Sequence, residues 1–288
     1  MDVRRSAHPA ETRAAVRGWQ AEGLSVGLVP TMGALHEGHL SLIRACASEC
    51  DRTAVSIYVN PTQFGPGEDL AQYPRRRERD CELAGRAGTD LLYCPGDADM
   101  YPEGFCTYVI QEGLTEVLEG AFRPTHFRGV LTVVCKLLHV LPADRAYFGQ
   151  KDFQQSVVIR RMVRDLNMAT DIRVLPTVRE PDGLALSSRN DYLSRDERGQ
   201  ATCLFRALVE AKRLYDGGET DADAAREAMG RVIAGAPLAR ADYVEIVDAE
   251  TLRPLERLSE RAVAVLAVRV GDTRLIDNHP LCEGLSTG

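Results

Sequence analysis

Apolar and polar positions alternate along the first part of the chain in the repeating order strand, loop, helix. Short runs rich in Val, Ile and Leu predict buried strands, and longer windows with apolar residues on one or all sides predict helices. The predicted strands are residues 26–29, 53–59, 90–95, 106–110, 146–149 and 171–175. The predicted helices are residues 9–20, 40–46, 70–85, 130–141 and 150–166. This alternation indicates an α/β domain built on a parallel sheet.

The pattern changes after residue 178. Helices predicted at residues 195–215 and 222–234 precede strands predicted at residues 243–247, 262–270 and 273–276. Helices followed by strands are typical of an α+β domain. We therefore expect two domains, residues 1–178 and a smaller C-terminal lid at 179–288, hinged near the turn-forming residues 181–183.

Composition narrows the class of protein. Of 288 residues, 44% are hydrophobic and 27% charged, and no apolar run is long enough to cross a bilayer. The N-terminal residues lack the apolar core of a signal peptide, which favours a cytoplasmic protein. A formal net charge of −7 argues against nucleic-acid binding, because basic surfaces supply most of that affinity. The eight cysteines are scattered without a Cys-x-x-Cys pair, so we expect reduced packing residues.

Polar loops follow three of the predicted strands. The first loop, residues 31–39, contains His36 and His39 at the start of a predicted helix, and the others are residues 60–67 and 150–155. The carboxyl ends of parallel strands lie at one edge of a sheet, where free amides and helix dipoles attract anionic ligands. Zinc binding is a competing interpretation, but the His-Glu-x-x-His spacing of zinc proteases is absent. Two surface histidines without a role are the third possibility.

The chain lacks both common nucleotide-binding fingerprints, Gly-x-Gly-x-x-Gly and Gly-x-x-x-x-Gly-Lys-Ser/Thr. A nucleotide would have to be held by other groups. Imidazoles of the first loop, Lys151 and the Ser187-Ser188-Arg189 run would donate to phosphate oxygens and offset their charge. These residue types suit triphosphate chemistry, although each is also an ordinary surface residue.

Five stretches, in chain order, resemble the pantoate–β-alanine ligase (pantothenate synthetase) family. They are VPTMGALHEGH at 29–39, YVNPTQF at 58–64, HFRGV at 126–130, YFGQKDFQQ at 147–155 and LSSRN at 186–190. A single His-x-Gly-His is shared by all nucleotidylyltransferases and class I aminoacyl-tRNA synthetases, so that motif alone is unspecific. Five stretches in order are specific, whereas the C-terminal third of the chain is similar to the family only loosely.

The resemblance implies a Rossmann-like parallel-sheet domain of the nucleotidylyltransferase type. It implies ATP-dependent joining of (R)-pantoate to β-alanine through a pantoyl-adenylate, with release of pyrophosphate and AMP. It also implies a cytoplasmic homodimer that requires Mg²⁺, held mainly by the ATP phosphates and without direct protein ligands. Alternatives are another nucleotidylyltransferase and a non-catalytic nucleotide-binding homologue.

The resemblance also implies roles for individual residues. His39 would donate a proton with His36 beside it, and Lys151 and Arg189 complete the expected catalytic set. The expected ATP-binding residues are Met32, Gly33, Ala34, Leu35, His36, Glu37, Gly38, His39, Gly149, Gln150, Lys151, Asp152, Val178, Leu186, Ser187, Ser188 and Arg189. Among these, Asp152 would bind the ribose and Val178 the adenine. Gln63 and Gln155 would bind pantoate, and Gln63 would also contact β-alanine.

Two positions depart from the family pattern. Gln150 stands where the family usually has Glu, and Thr125 where Gly usually precedes the histidine of HFRGV. Neither change removes an expected ligand, so only local charge and loop flexibility are affected.

Overall fold

The computed structural model describes residues 3–282, which form two compact units. The first unit contains the chain up to Gly149 together with residues 158–175. The second contains residues 150–157 and the chain from Pro176 onward. The sequence-based division into 1–178 and 179–288 differs from these units chiefly in the short segment 150–157, and the lid role of the C-terminal part stays a prediction.

The first unit is built on a six-stranded parallel sheet. Its strands are β1 Arg4–Ser6, β2 Val26–Thr31, β3 Arg52–Ile57, β4 Leu91–Tyr93, β5 Arg145–Gly149 and β6 Asp171–Leu175. Its helices are α1 Pro9–Ala21, α2 Glu37–Glu49, α3 Arg77–Arg86, α4 Asp97–Met100, α5 Glu119–Phe122, α6 His126–Val140 and most of α7 Phe153–Asp165. The strand order is β1-β4-β3-β2-β5-β6, and every neighbouring pair is parallel. The predicted α/β fold is confirmed.

The central strands are apolar because helices cover both faces of a parallel sheet. β2 is buried at every position except Pro30, and β3 is buried between its two end residues. α6 is apolar nearly all round and packs into the main core with Leu131 fully buried. These continuous apolar runs explain why the sequence alone located most of the sheet.

One predicted strand, residues 106–110, is wrong, because this segment pairs with no strand in the described chain. The Val109 amide donates to the Thr132 hydroxyl at 3.0 Å, and the Arg128 guanidinium lies 3.6 Å from the Tyr108 ring centroid. Side-chain contacts with α6 therefore replace the expected ladder. Conversely, the sequence pattern missed β1, whose three residues pair with β4.

The second unit follows the predicted order of helices and then strands. Its helices are α8 Arg195–Ala201, α9 Cys203–Asp216 and α10 Ala222–Ala234, and its antiparallel strands are β7 Ala239–Asp248, β8 Ala262–Val270 and β9 Thr273–Pro280. The strand order is β7-β8-β9. β8 is buried at every position except Arg269, because it is the central strand of this sheet. The predicted smaller α+β domain is confirmed in its element types.

The hinge expected at residues 181–183 is wrong, because this turn lies inside the second unit. Arg179 and Ala185 on either side of it form an antiparallel bridge. Arg198 donates to both carboxylate oxygens of Asp182, at 2.7 and 3.0 Å. The turn-forming residues close a tight hairpin, and the chain passes between the units at 149/150, 157/158 and 175/176.

Surface charge and the cysteines are two further features of the fold. Residues 75–79, the arginine-rich run, are all exposed, which is typical of a solvated charged face. Cys46, Cys81, Cys94 and Cys203 are buried free thiols, whereas Cys106 is exposed and is not the packing residue that we expected. Burial raises the pKa of the Cys46 thiol to about 12 and that of Cys94 to about 11, so both are packing residues. Within residues 3–282, the helices lack the combination of length and apolar character needed to cross a membrane.

Candidate active site

The loop between β2 and α2 is held in an unusual backbone conformation. Gly33 and Ala34 have φ values of 86° and 51°, so two successive residues are left-handed. A non-glycine residue rarely adopts this conformation without support from its surroundings. Asp80 on α3 supplies that support, because its carboxylate accepts the amides of Ala34 and Leu35, both at 2.8 Å. Asp80 is only 1% exposed although it directly follows the exposed arginine run.

These contacts correct one expectation about the loop. We expected free backbone amides there to attract an anion, but Asp80 accepts the two amides named above. The Gly33 amide donates to the Thr31 hydroxyl at 3.3 Å. The amides of residues 33–35 are therefore engaged within the protein and are not free to bind a phosphate as we expected. Sequence reasoning missed Asp80, since nothing in a charged helix distinguishes the one buried carboxylate.

His36 and His39 form a reciprocal cap at the start of α2. His36 Nδ1 accepts the Gly38 amide at 3.2 Å, and His39 Nδ1 accepts the His36 amide at 3.4 Å. The ring centroids are 4.1 Å apart. A nitrogen that accepts from an amide carries no proton, so the proton of each neutral ring lies on Nε2. Both histidines are therefore suited to donate from Nε2 to an oxygen anion.

Gln63 ends the short 3-10 turn Pro61–Gln63 that follows β3, and it is 8% exposed. Its Oε1 accepts from Asn60 Nδ2 at 3.1 Å, and its Nε2 donates to the sulfur of Met32 at 2.9 Å. Thioether sulfur is a weak acceptor, so this amide can turn to a better one at small cost. The structure thus brings the predicted pantoate residue Gln63 into contact with Met32 of the histidine loop.

Gly129 of α6 allows the turn that carries Gln63 to approach closely. A Cβ atom at this position would lie 2.4 Å from the Thr62 carbonyl oxygen and 2.6 Å from the Gln63 Cα. Asn60 Nδ2 also donates to the Gly129 carbonyl at 3.1 Å. Gly129 belongs to the HFRGV stretch. This packing explains why the stretch contains a glycine, which the sequence alone did not reveal.

A network of charged and polar groups supports the backbone of Gln63. Arg123 forms a two-pronged ion pair with Glu68 and donates to the Gln63 carbonyl at 3.3 Å. The His126 ring lies 2.9 Å from the same carbonyl through Nδ1 and 3.3 Å from Arg123 through Nε2. Burial and the neighbouring Arg123 lower the pKa of His126 to about 4, so the ring is neutral at neutral pH. Nδ1 then donates to the carbonyl, and Nε2 accepts from Arg123.

The second unit carries the other expected nucleotide residues except Gly149, which ends β5 in the first unit. The 3-10 turn Gln150–Asp152 follows Gly149 and leads into α7, with Lys151 Nζ 3.6 Å from the Asp152 carboxylate. The Lys151 side chain is 20% exposed, whereas that of Asp152 is 48% exposed. Gln155 lies in the first turn of α7 and is half-buried. A largely buried ammonium beside a carboxylate is suited to contact phosphate while the carboxylate takes a sugar hydroxyl.

A hairpin in the same unit carries Val178 and Leu186 on opposite arms. The Leu186 amide donates to the Val178 carbonyl at 3.0 Å. Ser187 then caps the 3-10 turn Ser188–Tyr192 by accepting the Arg189 amide at 3.2 Å. That bond uses the hydroxyl oxygen of Ser187 as an acceptor and leaves the hydroxyl hydrogen to be donated. The segment 178–189 thus folds back on itself.

Comparisons with known proteins agree with this arrangement. A sequence model of the family described as pantoate-beta-alanine ligase matches residues 5–280. The pantothenate synthetase of Moorella thermoacetica is 58% identical over 272 residues, which cover 93% of this chain and 96% of that protein. The pantothenate synthetase of Koribacter versatilis is 54% identical over 269 residues, which cover 93% and 92%.

Solved structures give the same result. Pantothenate synthetase from Thermus thermophilus matches with a TM-score of 0.92 and 46% identity, over 97% of this chain and 100% of that one. Pantoate-beta-alanine ligase from Francisella tularensis, complexed with beta-gamma ATP and beta-alanine, matches with a TM-score of 0.80 and 32% identity over 97% and 98%. With five matching stretches, the predicted fold and relatives above half identity along nearly all its length, this chain belongs to the pantoate–β-alanine ligase family.

Proposed function

We propose that the protein joins (R)-pantoate to β-alanine with ATP and forms pantothenate, AMP and pyrophosphate through a pantoyl-adenylate. The observation that carries this proposal is the pair His36 and His39, whose Nδ1 atoms both accept backbone amides. Their Nε2 protons are thereby set as donors for a triphosphate. Membership of the family supports the choice of substrates.

The first step needs positioning and charge stabilisation more than proton transfer. The pantoate carboxylate is already ionised at neutral pH, so its oxygen can attack the α-phosphorus without a general base. The bond from the α-phosphorus to the bridging oxygen breaks, and pyrophosphate leaves with its electron pair. In our proposal His36, His39, Lys151 and Arg189 stabilise the negative charge on the phosphates, and Ser187 and Ser188 donate hydroxyl hydrogens to them.

The second step forms the amide. The β-alanine amine attacks the acyl carbon of the adenylate, loses a proton, and expels AMP as the carbon–oxygen bond breaks. Asp152 would hold the ribose and Val178 the adenine through both steps. A lid role for the C-terminal part of the chain, which would keep water from the reactive anhydride, also belongs to this proposal.

The proposal is tested by measuring pyrophosphate release from ATP in the presence and absence of pantoate. We expect release only with pantoate and Mg²⁺, none after treatment with a strong chelator, and full recovery when Mg²⁺ alone is returned. Mg²⁺ prefers oxygen ligands and commonly binds together with substrate phosphates. The imidazoles of the histidine loop offer nitrogen atoms, so we expect the ATP phosphates to supply most of the oxygen ligands. Pyrophosphate release that does not depend on pantoate would favour another nucleotidylyltransferase, and no release would favour a non-catalytic homologue. Tightly bound stoichiometric zinc would favour the metal-site interpretation.

Gln63 and Gln155 are expected to act on pantoate and not on ATP. A glutamine side chain can donate to and accept from the hydroxyl and carboxylate oxygens of pantoate without adding a charge. We expect Gln63→Ala and Gln155→Ala each to raise the apparent KM for pantoate about tenfold, the equivalent of roughly one hydrogen bond. ATP binding, measured by calorimetry, should stay nearly unchanged.

Gln72→Ala is the matched control for this pair, because Gln72 is exposed and lies outside the expected site. It should leave both the KM for pantoate and ATP binding as they are. Loss of ATP binding in Gln63→Ala or Gln155→Ala would show that the assignment of these glutamines to pantoate is wrong.

We also propose a cytoplasmic homodimer. Residues 106–110 have a strand-type sequence without a strand partner in the described chain, and Ile110 and Phe122 are 73% and 49% exposed. In our proposal these side chains belong to the dimer interface, because association would remove their apolar surface from water. Light scattering should give twice the chain mass, and Ile110→Asp should lower it. A monomer at all concentrations would contradict the proposal.

A further inference from the structure

Asn278, near the end of β9, holds the turn that carries Lys151. It is 2% exposed, and its Nδ2 donates to the carbonyl oxygens of Gln150 at 2.8 Å and Lys151 at 3.0 Å. Its Oδ1 accepts from Gln150 Nε2 at 3.3 Å. One buried side chain therefore uses both amide hydrogens and its oxygen on two consecutive residues of the expected nucleotide site.

Asn278 is itself held by its neighbours in the second unit. Asp277, 3% exposed, forms a two-pronged ion pair with Arg179 at 2.6 and 3.0 Å. Its carboxylate also accepts from the backbone amide of Asn278 at 2.8 Å. Arg179 donates also to the Asn278 carbonyl at 3.3 Å and to the Gly183 carbonyl at 3.0 Å. The guanidinium carbon lies 4.6 Å from the centroid of the Phe205 ring. Backbone and side chain of this strand end are thus both fixed.

The consequence for Lys151 follows from side-chain freedom. A lysine has four rotatable bonds and loses rotamer entropy when it is fixed on a ligand. A backbone held at two successive carbonyls limits where the ammonium can go before the ligand arrives. Preorganisation of this kind matters most for a group that stabilises a transition state, because a misplacement of about 1 Å can cost up to a hundredfold in rate.

We propose that Asn278 is a positioning residue that acts through Lys151, so that the C-terminal sheet of this protein sets the geometry of a phosphate-binding ammonium. The proposal rests on the proposed function, in which Lys151 contacts the ATP phosphates. It assigns a role to a part of the chain that carries none of the five stretches but lies within the family match, which extends to residue 280. The role is distinct from a stabilising one, since it predicts coupling between two particular side chains.

A double-mutant cycle on the full-length protein tests this coupling. We expect Asn278→Ala to lower kcat about tenfold while the KM for pantoate changes less than twofold. Lys151→Ala should lower kcat further, and the double variant should be no worse than Lys151→Ala alone, because removal of the ammonium leaves Asn278 nothing to position. Circular dichroism and the melting temperature check that each variant is folded. If Asn278→Ala does not fold, the cycle is run with the milder Asn278→Ser.

His279→Ala is the control on the same strand. His279 is the next residue along the chain and is half-buried, and its Nδ1 lies 2.6 Å from the Pro280 carbonyl oxygen. This substitution should leave kcat unchanged, and an equal loss would identify a general effect of the strand. Losses that multiply in the double variant would overturn the positioning role while leaving the proposed function intact. Full activity of Lys151→Ala would overturn the positioning role as well, together with the assignment of Lys151 to the phosphates.

Discussion

His39→Ala and His36→Ala are each expected to lower kcat at least tenfold, because each removes a donor that stabilises charge developing on the triphosphate. The structure adds a complication, since each ring also caps α2 through Nδ1. Loss of a helix cap costs about 1 kcal/mol of stability, so a reduced rate could follow from a disturbed loop. Turnover is measured by steady-state release of pyrophosphate, and stability by thermal unfolding.

The matched variant His36→Asn separates the two effects. Asparagine is among the strongest N-cap residues, and its side-chain oxygen can accept the Gly38 amide as the ring nitrogen does. We expect His36→Asn to unfold near the wild-type temperature and yet to lose turnover as His36→Ala does. His139→Ala serves as the outside control, because His139 is an exposed residue near the end of α6. Near wild-type turnover in all the His36 and His39 variants would show that neither histidine takes part in catalysis.

The second large effect is a reaction that should occur without the amine. If pantoyl-adenylate forms before β-alanine is used, pantoate alone should let the enzyme exchange labelled pyrophosphate into ATP. A concerted ligation would show no exchange until β-alanine is present, and a passive nucleotide binder would show none under any condition. The result is therefore all or none.

The same reaction mixture reports on the lid. An acyl-phosphate anhydride left open to water hydrolyses, so a protected intermediate should release AMP far more slowly than it exchanges pyrophosphate. The control omits pantoate and should show neither exchange nor AMP. Exchange that requires β-alanine would contradict the two-step mechanism, whereas rapid AMP release with intact exchange would contradict only the protection of the intermediate.

The sequence alone was enough for the features that local patterns encode. Continuous apolar runs marked β2, β3 and α6, because a strand or helix covered on all sides needs apolar residues throughout. The change from alternating elements to helices followed by strands marked the second unit. The five stretches led to the family, and the histidine spacing at the start of α2 was readable because N-terminal helix positions lie close together along the chain.

Tertiary structure decided what depends on partners far apart in the chain. Nothing local distinguishes Asp80 from the exposed charges beside it, and only the fold brings its carboxylate to the amides of Ala34 and Leu35. The neutral state of His126 likewise depends on burial and on Arg123. Asn278 lies 127 positions from Lys151 along the chain, and their contact exists only because β9 folds back onto the turn. Apolar periodicity is a property of neighbours in sequence, whereas the hydrogen-bond partner of a buried polar group is chosen by the fold.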